Sequence, residues 1–283
     1  MIPFLSRPKR RPHLLVCIGT DWDVNLPEHF IRHYLDLGIR PQDFVVALHS
    51  DKRDFLEPTK KILRQYGIEP RKTWLGTFDA KRAGKLKREL QREFIPRRDW
   101  VVHADLDEFH EYPVPLAEYL EEREGCRENV VVGCFVDRIT ADGSLPHIQH
   151  VSQGSIFEQF PRCADIVGGV KNGLVLKYMA FRAYFKATGG NHSVKRPPRT
   201  LLRPLRRQTR PRRNKWLNAL SFEERIQLDV RVHHFGWSLD TIEKSRERLI
   251  RLRILGYSWS EESQRFLDAL DNEGRLQVPS YDP

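Results

Sequence analysis

The chain has 283 residues, 40% of them hydrophobic, which is enough for one large α/β domain or two small ones around a sizeable buried core. Lys and Arg number 48 against 38 Asp and Glu, and the formal net charge of +10 favours anionic partners without choosing among phosphates, nucleic acid and an acidic membrane surface. No apolar run approaches the roughly 20 residues that span a bilayer, and Cys17, Cys126, Cys134 and Cys163 show neither CxxC nor metal-ligand spacing, so a disulfide framework is excluded and reduced thiols in a cytoplasmic protein are expected.

Residues 1–12 form a basic tail with Arg7, Lys9, Arg10 and Arg11. The apolar run that follows is too short for a secretion signal, and Asp21 and Asp23 stand where a cleavage site would need small residues. Leu14 to Ile18 reads as a first strand. Asn25, Pro27 and Glu28 then resemble a helix start, with Asn25 as the cap and Pro27 in the first turn. Phe30, Tyr34 and Leu37 give that helix its apolar stripe and Gly38 stops it. Phe44 to Leu48 predicts a second strand, Lys60 to Tyr66 a short helix, and Thr73 to Leu75 a third strand. Ala80 to Ile95 predicts a helix with Ala83, Leu86, Leu90 and Phe94 on one face, ended by Pro96. Trp100 to Ala104 is the fourth strand. This alternation is the pattern of a Rossmann-like α/β fold, a mostly parallel central sheet with flanking helices.

The second half is less regular: Pro115 to Glu124 reads as a helix, Asn129 to Val136 and Gly173 to Phe181 as strands, and Ser221 to Glu224 as a capping-box helix start. Residues 196–215 hold nine basic residues, no acidic one, and prolines at 197, 198, 204 and 211, the composition of a loop or lid.

The chemistry concentrates at Asp105-Leu106-Asp107-Glu108, directly after the fourth strand, and open α/β sheets bind ligands outside the carboxyl ends of their strands. On an extended segment, period-two geometry puts Asp105 and Asp107 on one side. Two such carboxylates suit a hard cation, Mn²⁺ or Mg²⁺, that also takes substrate phosphate oxygens.

Trp100-Val-Val-His-Ala-Asp-Leu-Asp-Glu-Phe109 resembles the signature of family 2-like and family 92-like glycosyltransferases, which adopt the GT-A fold. Pro27 to Gly38, Thr188-Gly-Gly-Asn-His192, and Val232-His-His-Phe-Gly-Trp-Ser238 followed by Lys244 fit the same group, so the resemblance covers most of residues 13–250. It implies a nucleotide-sugar-binding half at 13–125, an acceptor-side half at 126–250 that includes the basic loop, and a C-terminal helical extension at 251–283. It also implies a metal-dependent transfer of a hexose from a nucleotide diphosphate sugar to a hydroxyl of a glycan or lipid-linked glycan.

By that resemblance Thr20, Asp21 and Asp51 line the nucleotide pocket, Asp105 sits near the ribose or the metal, Asp107 ligates the metal, and His192 or the His233-His234 pair supplies a further ligand. Asp165, before Gly168-Gly169, is the candidate base for the acceptor hydroxyl, because no acidic residue follows it until Glu223; Asp137 and Glu158 are alternatives. Lys81, Arg82 and Lys85 fit a merely basic helix face better than a diphosphate contact. A dehalogenase-like phosphatase is disfavoured, because its Asp-x-Asp ends a first strand and this one ends the fourth. A nonenzymatic nucleic-acid-binding protein is disfavoured, because the basic residues concentrate in one loop without a recognition motif. That loop reads as a lid or as a patch docking peripherally on an anionic membrane or glycan.

Overall fold

Apolar β-branched runs without polar interruption build the centre of the sheet, because a strand covered on both faces has no solvent side to keep polar. Leu14, Leu15, Val16 and Ile18 of β1 (Pro12–Gly19) and all of Val45 to Leu48 in β2 (Phe44–Ser50) are buried in the computed structural model. The structure describes residues 10–21, 23–187, 190, 192–195, 216–254 and 260–281. The basic loop 196–215, residues 1–9 of the basic tail, and Thr188, Gly189 and Asn191 of the glycine-rich stretch lie outside the described residues.

Helix α1 (Leu26–Asp36) follows β1, α2 (Leu56–Gln65) follows β2, and β3 (Lys72–Leu75) leads into α3 (Ala80–Phe94) and then β4 (Trp100–His103). These strands lie parallel in the order β4-β1-β2-β3, so the chain runs outward from β1 to β3 and then jumps back to β1's other side. That reversal makes a crevice between the carboxyl ends of β1 and β4, the place where such sheets take ligands. Helix α3 packs on β1 and β2 through Ala83 and Leu90, and Asp79 caps it by accepting from the Arg82 amide.

Asn25 does not cap α1. Its backbone is already helical, its amide donates instead to the Ile148 carbonyl at 2.8 Å, and Glu28 accepts from the Tyr66 hydroxyl, so the expected capping box is replaced by two long-range contacts. Pro27 does lie in the first turn, and the capping box of Ser221 with Glu224 forms as expected.

Beyond β4 the sheet continues antiparallel. Four residues, Ala104 to Asp107, join β4 to β5 (Glu108–Glu111), and helix α4 (Leu116–Gly125) leads to the long β6 (Val130–Ile139). The short α5 (Ile156–Gln159), β7 (Arg162–Ala164), a π-helical turn at Ile166–Val170 and β8 (Leu176–Arg182) follow. β8 pairs antiparallel with both β4 and β6, and β7 pairs with the far end of β6. β9 (Lys186–Ala187) and β10 (Val194–Lys195) form a separate two-stranded ribbon. After α6 (Phe222–Ile226), β11 (Arg231–His234) inserts between β5, antiparallel, and β6, parallel. The result is an α/β architecture with a curled sheet, parallel in its N-terminal half and flanked by helices.

The described part of residues 251–281 packs back onto the rest of the chain. Helix α7 (Leu239–Ile254) crosses that boundary, and α8 (Ser260–Asp268) buries Phe266 against Trp237. β12 (Ser280–Tyr281) then pairs with β7 at the edge of the main sheet. The helical period of 239–254 is one continuous amphipathic run, so the chain has no reason to break at 250. No helix among the described residues is long and apolar enough to cross a membrane.

Candidate functional site

Asp105, Leu106 and Asp107 form a turn rather than an extended end of β4, closed by the Glu108 amide donating to the Asp105 carbonyl at 3.1 Å. Period two therefore does not apply, and the two carboxylates acquire different partners. Phe109 anchors the turn: it is fully buried and meets Phe30 and Phe235 edge-on at 5.9 and 4.9 Å between ring centroids.

Asp105 faces cations. Lys87 of α3 donates to its Oδ1 at 2.9 Å and Lys177 of β8 lies 3.8 Å from Oδ2. Burial would raise the Asp105 pKa, but these two ammonium groups outweigh it and hold the carboxyl far below its usual range. Lys177 also contacts Glu108 Oε1, and both side chains are buried. Burial, reinforced by Asp105 and Asp107, pushes Glu108 up to about 7 against the pull of Lys177. Asp105 therefore sits in a four-residue ion network that orients the turn.

Asp107 faces an imidazole. Its Oδ2 lies 3.3 Å from His234 Nε2, while His234 Nδ1 donates to Asp137 Oδ1 at 2.8 Å. Asp137 is wholly buried and also accepts from Trp237 Nε1 and from the Ile166 and Val167 amides, each at 2.8 Å. Burial alone would depress His234, but the carboxylates of Asp107 and Asp137 on its two ring nitrogens prevail and carry it up to about 10. His234 in turn lowers Asp107 against the desolvation that would raise it. The Phe235 amide donates to the Asp107 carbonyl at 2.8 Å, which ties the histidine strand to the acidic turn.

Gly236 completes this corner. A Cβ there would come within 2.8 Å of His234 Nε2 and 3.1 Å of Asp107 Oδ2, so a side chain would fill the space that these two atoms share. An oxygen and an imidazole nitrogen converging on one cradle, with the second ring nitrogen held by a buried carboxylate, form a donor set that fits a divalent cation.

The other expected residues fall into three places. Thr20, Asp21 and Asp51 come together at the carboxyl ends of β1 and β2. Asp21, His49 and Asp51 bring ligand atoms within 4.8 Å of one another, but their hydrogen bonds close largely on the protein. Asp21 Oδ1 accepts from Ser50 Oγ at 2.5 Å and from the Asp51 amide at 2.9 Å, and His49 Nε2 donates to the Gly76 carbonyl at 2.7 Å. The Thr20 hydroxyl is buried and has no hydrogen-bond partner among the described residues.

His192 donates from Nδ1 to the Leu176 carbonyl at 2.8 Å, and its ring is 6.4 Å from that of Phe135, which lies 4.9 Å from His234. The structure thus pairs Asp107 with His234, and sets His192 beside Lys177 instead. His233 alternates to the opposite side of β11, where its Nε2 meets Glu111 Oε2 at 2.7 Å. Asp165 is bound to the Arg225 guanidinium and accepts from the Gly168 amide at 3.1 Å. Glu158 is spent in a capping box with Ser155.

Of the basic residues on α3, Arg82 stacks on Trp74 at 4.4 Å and Lys85 lies 4.0 Å from Glu89, so Lys87 alone of these reaches the acidic turn. A cavity of about 320 Å³ lies away from the turn, lined in part by Lys72, Trp74, Arg82 and Lys85.

Lys177 and Lys87 were not assigned site roles from the sequence, and Asp137 was named there as an alternative base, not as the partner of a histidine. Asp137 and Lys177 carried a signal, since each is a charge set in a mainly apolar strand, beside Arg138 in β6 and with Arg182 at the end of β8, and buried charges persist only where something pairs them.

No model of a known protein family matches the chain, and no curated protein matches it in sequence. Two crystal structures of S. aureus TarS share 10% and 11% sequence identity with it, at TM-scores of 0.35 and 0.32. They cover 91% and 90% of this chain, which spans 42% of the first structure's chain and 70% of the second, TarS 1-349. Similarity this low assigns neither a family nor an activity.

Proposed function

We propose that the protein is a metal-dependent glycosyltransferase of GT-A type, moving a hexose from a nucleotide diphosphate sugar to a hydroxyl of a glycan or lipid-linked glycan. The observation that carries this reading is the convergence of Asp107 Oδ2 and His234 Nε2, 3.3 Å apart, at the carboxyl edge of the sheet. It lies beside the crevice between β1 and β4, where an α/β sheet takes its ligand.

In this reading Thr20, Asp21 and Asp51 contact the nucleoside. Asp107 and His234 hold Mn²⁺ or Mg²⁺, which when bound offsets the charge of the departing diphosphate. Asp137 fixes the imidazole so that Nε2 points at the cradle above Gly236, a role that outer partners of metal-binding histidines commonly play. Asp105 does not ligate here; paired with Lys87 and Lys177, it keeps the turn in the geometry that presents Asp107. Metal loading must displace the His234 Nε2 proton, so affinity for the ion falls as pH falls.

A thermal-shift screen of sugar nucleotides with Mn²⁺ identifies the donor class. With that donor, Asp107→Asn is expected to lower transfer or hydrolysis by more than the roughly 10- to 100-fold that outer-shell partners cost. Mn²⁺ binding measured by electron paramagnetic resonance should weaken in step. Full activity in Asp107→Asn would remove the basis of the proposal.

A further inference from the structure

The segment after β11 continues past the metal cradle into α7, and it brings one more cation to the crevice. Ser238 donates to Asp23 Oδ2 at 3.1 Å, and Lys244, about one and a half helical turns further on, places its ammonium 3.7 Å from the same oxygen. Asp240 of the same helix accepts from the Asp23 amide at 3.2 Å. The loop after β1 is thereby fastened to the start of α7.

Three observations set this corner apart from an ordinary surface ion pair. Asp23 has φ of +28°, a left-handed value that non-glycine residues seldom adopt and that clusters at ligand sites. Its Oδ1 is buried and has no hydrogen-bond partner among the described residues. Lys244 lies within the field of three carboxylates: burial lowers its pKa, while Asp23, then Asp107 and Asp240, raise it. Its ammonium lies against the loop that follows Thr20 and Asp21, on the helix that begins three residues after Gly236 of the Asp107–His234 corner.

We infer that Lys244 binds the diphosphate of the nucleotide donor, exchanging its ion pair with Asp23 for phosphate oxygens when the donor enters. The inference rests on the donor reading above. A diphosphate that joins a nucleoside at the ends of β1 and β2 to a cation at Asp107 has to pass this ammonium. Lys suits the task as a flexible point charge with three donors.

The test is calorimetric titration of the wild-type protein with UDP, GDP, ADP and TDP in the presence of Mn²⁺, followed by the tightest of these and its parent nucleoside on Lys244→Met. A charge-assisted hydrogen bond of about 1.5–3 kcal/mol corresponds to a loss of roughly 10- to 100-fold in diphosphate affinity, with nucleoside affinity unchanged. Should Lys244→Met fail to fold, as judged by circular dichroism and thermal melting, Lys244→Gln and the charge-keeping Lys244→Arg serve instead. Gln should lose the diphosphate preference and Arg should retain most of it. Equal diphosphate affinity in wild type and the neutral variants overturns the inference and leaves the donor reading standing. No binding of any nucleoside diphosphate by the wild type overturns both.

Discussion

The two halves of the sheet solve the problem of burial in opposite ways. In β1, β2 and β4 the buried residues are mainly apolar, with His13, His49, Ser50 and His103 as the polar exceptions, and helices α1 to α3 cover them with apolar stripes. In the seam formed by β5, β6, β8 and β11 the buried residues include Glu108, Asp137, Lys177 and His233, each held by a charged or hydrogen-bonding neighbour. The apolar half derives stability from area removed from water, which is nondirectional and insensitive to pH. The polar seam offsets the desolvation of its charges only while every partner is in place, so what it gains is geometry rather than stability.

Removing one partner from the seam should expose that difference most strongly. Asp137→Ala strands His234, Trp237 and two backbone amides together, and a loss of about 3–5 kcal/mol is expected for breaking a buried pair in this way. Urea denaturation of the metal-free protein measures it, and a loss below about 1 kcal/mol would mean that water replaces the carboxylate easily. Leu90→Ala, in the apolar half, should cost about 2–4 kcal/mol through a cavity on α3, with the same urea midpoint shift at pH 6 and pH 9.

The smallest effect is a slope. His234 has a folded pKa of about 10 against an ordinary 6.5. Its contribution is fully present below 6.5 and is lost as pH rises through 10, so the metal-free protein should lose melting temperature across that window. His234→Gln should flatten the profile there, whereas Leu90→Ala should leave its shape unchanged.

The same contrast explains what could be read in advance. The parallel half was legible because period, proline and glycine are local signals: Pro96 ends α3, Gly38 stops α1, and Leu14 to Ile18 announces β1. The acidic turn was legible because its residues are consecutive. Its partners were not, because they arrive from far along the chain: Lys177 is 72 residues from Asp105, and Asp137 and His234 are 97 apart. Nor could the sequence show that Asp105 and Asp107 diverge, since that depends on a turn closed by one backbone hydrogen bond. Choosing His234 over His192 required knowing that β11 inserts beside β6, a pairing that only the folded sheet creates.

That insertion has a mechanical result. His234 is opposite Glu108 on one side and Asp137 on the other, so two independent ladders of backbone hydrogen bonds clamp the imidazole in register with both carboxylates. Lys244, by contrast, rides on a helix tied to the β1 loop by a few side-chain contacts. The imidazole is thus positioned by the sheet and the ammonium by a helix packed along α8, so the two charges that meet the crevice are set by different parts of the fold.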